Sequence, residues 1–293
     1  MRRIVTAVVA PFALFLAACG ADRPTAGAAS TAAGEPPPAV SEPDPGQLYE
    51  VNATVLEDRT HGPMLCLGGI LESLPPQCGD VPIAKWDWQA VEGEETAGGT
   101  TWGSYHVMGR YDGETFAVTD VGPYADDPSA FGTDPDTTSP CREPAGGWTG
   151  LDDATQEDAR PAHAYASSQP DYVTSWITHL DPAALEFGPV IVNAVFTGDG
   201  ERHEAEIRKV WDGPLCVVER DVPTARELGR IRNEVEAGLD ELGLRMLWSQ
   251  GPAVEAVIEI GVVVDVEGKA QAALDARYGP GVVRLIPALK PVS

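Results

Sequence analysis

Residues 254–266 read VEAVIEIGVVVDV, and this stretch governs the interpretation of the C-terminal half. Val254, Ala256, Ile258, Ile260, Val262 and Val264 fall on every second position, with Glu255, Val257, Glu259 and Asp265 between them. A period of two places successive side chains on opposite faces, so the segment predicts a strand with one buried and one partly polar face. Downstream, residues 269–278 form a helical stretch stopped by Gly279-Pro280, and residues 282–289 a last strand. Upstream, residues 244–249 predict another strand. Before it, residues 226–242 carry Leu228, Ile231, Val235, Leu239 and Leu242 on one helical stripe, with Gly243 as the stop. Residues 215–218 predict a short strand before that helix. From Leu215 the order is therefore β-α-β-β-α-β, the order of ferredoxin-like split βαβ domains. A buried strand over 190–197 and a helix over 200–211 precede it, and a short helix is expected around 160–168.

The N-terminal half has a different texture. Strands are expected over 49–57, 64–71, 81–88, 101–110 and 114–121, with a hairpin turn at Tyr111-Asp112-Gly113-Glu114. Short strands without a helical period predict a small barrel- or sandwich-like, OB-like domain. The fold class is thus α+β. A β domain spans 48–121, a connector rich in Pro, Gly and Asp spans 122–150, and an α+β domain spans 151–293.

The chain starts with Arg2 and Arg3, continues in a mostly apolar run over 4–18, and reaches Leu16-Ala17-Ala18-Cys19-Gly20. Basic, apolar and small-residue regions in that order make a secretory leader. The run is short of the roughly 20 apolar residues that span a bilayer. The Leu-Ala-Ala-Cys-Gly sequence resembles the lipobox of bacterial lipoproteins. That resemblance implies removal of residues 1–18, a lipid on the Cys19 sulfur, and a membrane-anchored, extracytoplasmic location. Residues 19–47, rich in Ala and Pro with Pro36-Pro37-Pro38 inside, predict a disordered spacer.

The formal net charge is −25, and losing Arg2 and Arg3 makes it more negative. Such a chain repels phosphate backbones, which excludes nucleic acid as a partner. Of five cysteines, a lipidated Cys19 leaves Cys66, Cys78, Cys141 and Cys216. An even number outside the cytoplasm predicts two disulfides. Three connectivities are possible, and the short separation favours Cys66–Cys78 with Cys141–Cys216.

Motifs that carry chemistry are scarce. His203-Glu204 lacks the second histidine one turn on that a zinc helix requires, so residues 202–206 are expected on an exposed helix face. The acids Asp120, Asp126, Asp127, Asp134, Asp136, Asp152 and Asp153 lack the EF-hand spacing. No cofactor or metal is expected. Trp86, Trp88 and Trp102 could form an aromatic platform for carbohydrate, Trp86 and Trp88 sharing one face if they lie on a strand. The leading expectation is a tethered, non-enzymatic binding protein whose partner is a protein or a cell-wall polymer. The alternatives are a cell-wall carbohydrate binder, or a secreted hydrolase using His106 with two carboxylates.

Overall fold

The computed structural model describes residues 43–292 except 72, 126–134, 153, 182, 184–187, 252 and 253. Cys19, the leader, the spacer up to residue 42, and Asp126, Asp127, Asp134 and Asp153 lie outside the described residues. The fold is mixed α+β, with four α-helices and thirteen strands among the described residues.

The first half is a ring of strands. β1 (Tyr49–Glu57) pairs antiparallel with β2 (Met64–Cys66), and β2 with β3 (Val81–Ala84). β3 runs parallel to β6 (Phe116–Pro123); β6 pairs with β5 (Thr100–Tyr111), and β5 returns to β1. The circuit β1-β2-β3-β6-β5-β1 closes on itself, which removes the open edges of those five strands. Alternation along β1 turns Tyr49, Val51, Ala53 and Val55 inward, onto Leu65, Val81, Val107 and Phe116. Gly109 sits at a bulge in β5, where a Cβ would strike the Phe116 ring and the Ala117 carbonyl. The expected turn forms: Asp112 Oδ1 accepts from the N–H groups of Glu114 and Thr115 as Tyr111 pairs with Phe116. One strand of this half was not anticipated. β4 (Glu95–Ala97) folds back on β5 through Gly98 and Gly99, both at positive φ.

The second half contains two three-stranded sheets built on one plan. In the first, α1 (Arg160–Ser168) leads into the antiparallel pair β7 (Tyr172–His179) and β8 (Val190–Phe196). Then α2 (Gly200–Ile207) crosses to β9 (Leu215–Glu219), parallel to β8. In the second, α3 (Ala225–Gly238) leads into the antiparallel pair β10 (Met246–Gln250) and β11 (Ile258–Val262). Then α4 (Lys269–Tyr278) crosses to β12 (Val283–Pro287), parallel to β11. Each unit reads α-β-β-α-β, with the middle strand at the centre of its sheet and a bulge near the start of its first strand.

The order β-α-β-β-α-β does run from Leu215, but its strands do not form one ferredoxin-like sheet. β9 bonds to β8, whereas β10, β11 and β12 form a separate sheet. The hydrophobic pattern fixed each element, and the partner of β9 was decided by its crossover from β8. β11 is also shorter than its period-two stretch, because Val263 and Val264 leave the sheet and enter the barrel core.

Local chemistry fixes the helix ends. Thr224 and Glu227 form a reciprocal capping box on α3. Asp265 accepts from the N–H groups of Ala270 and Gln271 at the start of α4, and Gly279 at φ +98° ends it. α1 and α2 cover one face of the first sheet, through Ala162, Ala166 and Ile207 on Val192, Ala194 and Phe196. Val173, Trp176 and Val195 of that sheet join the cluster of Leu228, Ile231 and Val235 on α3. The chain closes on the barrel: Leu289 is fully buried in its core, and β13 (Lys290–Pro291) pairs with Tyr49 and Glu50 of β1.

The four cysteines in the described residues pair as Cys66–Cys78 and Cys141–Cys216, with Cα atoms 5.5 and 5.7 Å apart. Among the described residues no helix is long and apolar enough to cross a membrane.

Candidate functional site

The outward positions of β1 and β5 build one polar groove. His106 stands opposite Asn52 in the ladder, and its Nε2 lies 3.3 Å from Glu50 Oε2. Lys290 of β13 pairs with Glu50 along the backbone, and the Asn52 side-chain oxygen accepts from the Ala125 N–H at 3.1 Å. These groups line a cleft of about 280 Å³ with Leu67 and Pro287. The carboxylate that meets His106 here is Glu50; the hydrolase alternative called for two. Both members of the pair are open to water, so it contributes little to stability.

Trp86 and Trp88 do not lie on a strand. β3 ends at Ala84, Lys85 takes φ +67°, and Trp88 opens a single 3₁₀ turn capped by Asp87. The two rings nevertheless meet edge to face, with centroids 5.4 Å apart and planes at 78°. Trp86 also packs on Tyr105 at 5.2 Å, and Trp88 Nε1 donates to Glu57 Oε2 at 2.6 Å. Both rings are half-buried against the barrel core. Trp102, also half-buried, sits on β5 opposite Leu56 on one side and Glu95 on the other.

A third group was not anticipated from sequence. His163 Nδ1 on α1 lies 2.9 Å from Ser175 Oγ on β7, and the Tyr172 hydroxyl lies 3.0 Å from the same oxygen. Burial pushes the His163 pKa below its ordinary value. Its imidazole therefore stays uncharged to lower pH and can accept the serine proton. An open cleft of about 850 Å³ adjoins it, lined by Arg160, His163, Trp176 and Ile177. The twelve-residue gap between His163 and Ser175 hides the pair in sequence, because it becomes visible only once β7 is assigned.

The fourth group corrects the exposed-face reading of residues 202–206 at one position: Arg202, Glu204 and Ala205 are exposed, as expected, but His203 is not. His203 is completely buried. Its ring stacks on Phe196, centroids 3.7 Å apart and planes at 6°. Nε2 lies 2.8 Å from Asp171 Oδ2, and Nδ1 lies 3.1 Å from the Tyr165 hydroxyl. A carboxylate can only accept, so Nε2 carries a proton toward Asp171; Arg202 Nη2 lies 3.1 Å from the same ring nitrogen. Burial acts to raise the Asp171 pKa. The His203 hydrogen bond and the nearby His203 and Arg202 groups outweigh it, so the net direction is down. Asp171 Oδ1 is buried without a hydrogen-bond partner among the described residues. This network ties α1, the turn before β7, β8 and α2 together. The signal was present: His203 and Ile207 are four apart on a helix whose other residues are mostly polar, and both turn inward.

Among the described residues, no three His, Cys, Asp or Glu side chains gather as a metal site would require. Comparison of the whole chain with known protein families, with curated proteins and with solved structures finds no match in any of the three.

Proposed function

We propose that this protein is an extracytoplasmic lipoprotein, held to the membrane by acylated Cys19, whose folded body engages a protein or cell-wall partner. On this reading a small OB-like barrel and two α-β-β-α-β units stand off the membrane on the spacer. The observation that supports it is the cysteine pairing. Cys66–Cys78 and Cys141–Cys216 account for four of five cysteines, and the remaining one is the cysteine of the lipobox-like sequence. Each buried methylene contributes about 0.8 kcal/mol to membrane binding, so two or three acyl chains would hold the body firmly. Cys19→Ala is expected to release the chain from the membrane fraction and abolish incorporation of a fatty-acid analogue. Retention of the variant at the membrane, or an unlabelled wild-type chain, would overturn the tether.

The Ser175–His163 contact supports a second reading, a hydrolase with Ser175 as nucleophile. In that chemistry Ser175 Oγ bonds to the substrate carbonyl carbon as His163 takes the serine proton and passes it to the leaving group, whose bond to that carbon breaks; water, deprotonated by His163, then cleaves the acyl-serine ester and the proton returns to Ser175. A serine-directed fluorophosphonate is expected to label the wild-type chain, and Ser175→Ala to lose the label. Absence of labelling in folded protein removes this reading and leaves the first intact.

A further inference from the structure

β7 stands at the edge of its sheet, and among the described residues β8 is its only strand neighbour. Its eight residues, Tyr-Val-Thr-Ser-Trp-Ile-Thr-His, include no Asp, Glu, Lys, Arg, Pro or Gly. Edge strands are normally blunted by charge or proline. In a chain of net charge −25, this edge lacks both.

The other edges differ. β9 carries Glu219, β12 carries Arg284 and β4 carries Glu95. β10, the counterpart of β7 in the second unit, is also uncharged, but Gly68 packs against the backbone of its Leu247.

The register shows which backbone groups of β7 face outward. The Leu180 N–H donates to the Pro189 carbonyl at 3.0 Å, which makes that pair hydrogen-bonded. Pair types alternate along an antiparallel ladder, so Thr178 and Trp176 also point their N–H and C=O groups at β8. Ser175, Ile177 and His179 therefore present theirs to the open side. The buried Nδ1 of His179, at the end of this row, has no hydrogen-bond partner among the described residues.

We propose that β7 pairs antiparallel with β7 of a second copy of this chain. A two-fold axis at Ile177 sets Ile177 against its own copy and Ser175 against His179 of the other. The two sheets then continue as one, with hydrogen bonds to the outward groups of all three residues. No like charges meet across this strand pair, whereas the negative charge over the rest of the body keeps other surfaces apart. A cleft lined by Thr137, Glu157, Arg160, Trp176 and Ile177 opens beside this strand.

The test uses the full chain in the cells that make it. Ile177→Cys, treated with a short bismaleimide, is expected to give a species of twice the chain's mass. Thr96→Cys on β4 serves as the control and is expected to give none. His179→Pro removes one outward N–H without touching the ladder to β8, so it is expected to abolish the crosslink. The purified full-length wild-type chain is expected to sediment at twice the monomer mass, and the His179→Pro chain at the monomer mass with unchanged circular dichroism. A wild-type monomer, a crosslink to a product of any other mass, or a dimer unaffected by His179→Pro would each overturn self-pairing. If His179→Pro fails to fold, the Ile177→Cys crosslink and the wild-type mass decide the matter.

Discussion

Replacing Cys141 and Cys216 together by alanine is expected to lower unfolding free energy by about 4 kcal/mol, visible as a lower urea midpoint. The bridge spans 75 residues, and closing a loop of that size removes about 4.5 kcal/mol of chain entropy from the unfolded state. It also acts in the folded state. Cys216 is buried on β9, an edge strand paired with the central strand β8, so the bond pins the connector to the β9 side of the first sheet. Near that anchor, the Thr137 carbonyl accepts from Trp176 Nε1 at 3.2 Å and from Thr178 Oγ1 at 2.6 Å. With the bridge gone, the amides of residues 135–141 are expected to exchange faster, while those of the barrel strands keep their relative protection. The Cys66–Cys78 loop is shorter, with a separation of 12, and the same estimate gives about 3 kcal/mol for its removal. An unchanged midpoint for the Cys141/Cys216 double variant would show that the entropy of that loop is offset elsewhere.

The elements that were legible in the sequence are those whose burial is regular. α1 and α4 fall on the helical stretches expected for them, α4 by its Gly279-Pro280 stop, and β8 and β11 lie inside theirs, β8 as a continuous apolar run and β11 within an alternating one. β7 was missed for a definite reason. Its bulge between Tyr172 and Thr174 shifts the alternation, so Val173 and Thr174 are both buried and the period-two pattern breaks at its start. β4 and β13 are three and two residues long, too short to show any period. Trp86 and Trp88 were expected on a strand because nothing in their spacing reports the positive φ of Lys85.

The two α-β-β-α-β units are a different kind of omission. Their element order repeats, but α1 has nine residues and α3 fourteen, and the residues that fill equivalent places differ. Phe196 ends one central strand and Val262 the other; His203 faces inward from α2, and Ala270 and Leu274 from α4. The repeat resides in strand pairing and crossover direction, which composition does not encode. The same holds for the candidate sites. His106 and Glu50 are 56 positions apart, and only the register of β1 with β5 brings them to 3.3 Å.

Asp171→Ala is expected to destabilise the fold by about 3 kcal/mol, since a hydrogen bond to a charged group is lost and a buried donor is orphaned. His203 has no exposure to water, so its Nε2–H cannot recover a partner there. Arg202 lies 3.8 Å from the same carboxylate but is half-exposed and contributes little to the loss. Asp171→Asn keeps an acceptor facing Nε2, so its smaller cost measures the charge. The pH dependence has a fixed sign. The Asp171 pKa in the folded protein lies below its ordinary value. The unfolded chain therefore holds the proton more tightly, and the stabilisation is complete above about pH 4, the ordinary aspartate range. It is lost as pH falls through the depressed folded value. Asp58, Asp112 and Asp136 are displaced the same way by local hydrogen bonds, so the wild-type acid transition belongs to several groups. The quantity to measure is the stability difference between wild type and Asp171→Ala across that range. That difference should shrink with acidification and level off at the part that does not depend on ionisation. A difference independent of pH would show that His203 is held by Tyr165 and the Phe196 ring rather than by the Asp171 carboxylate.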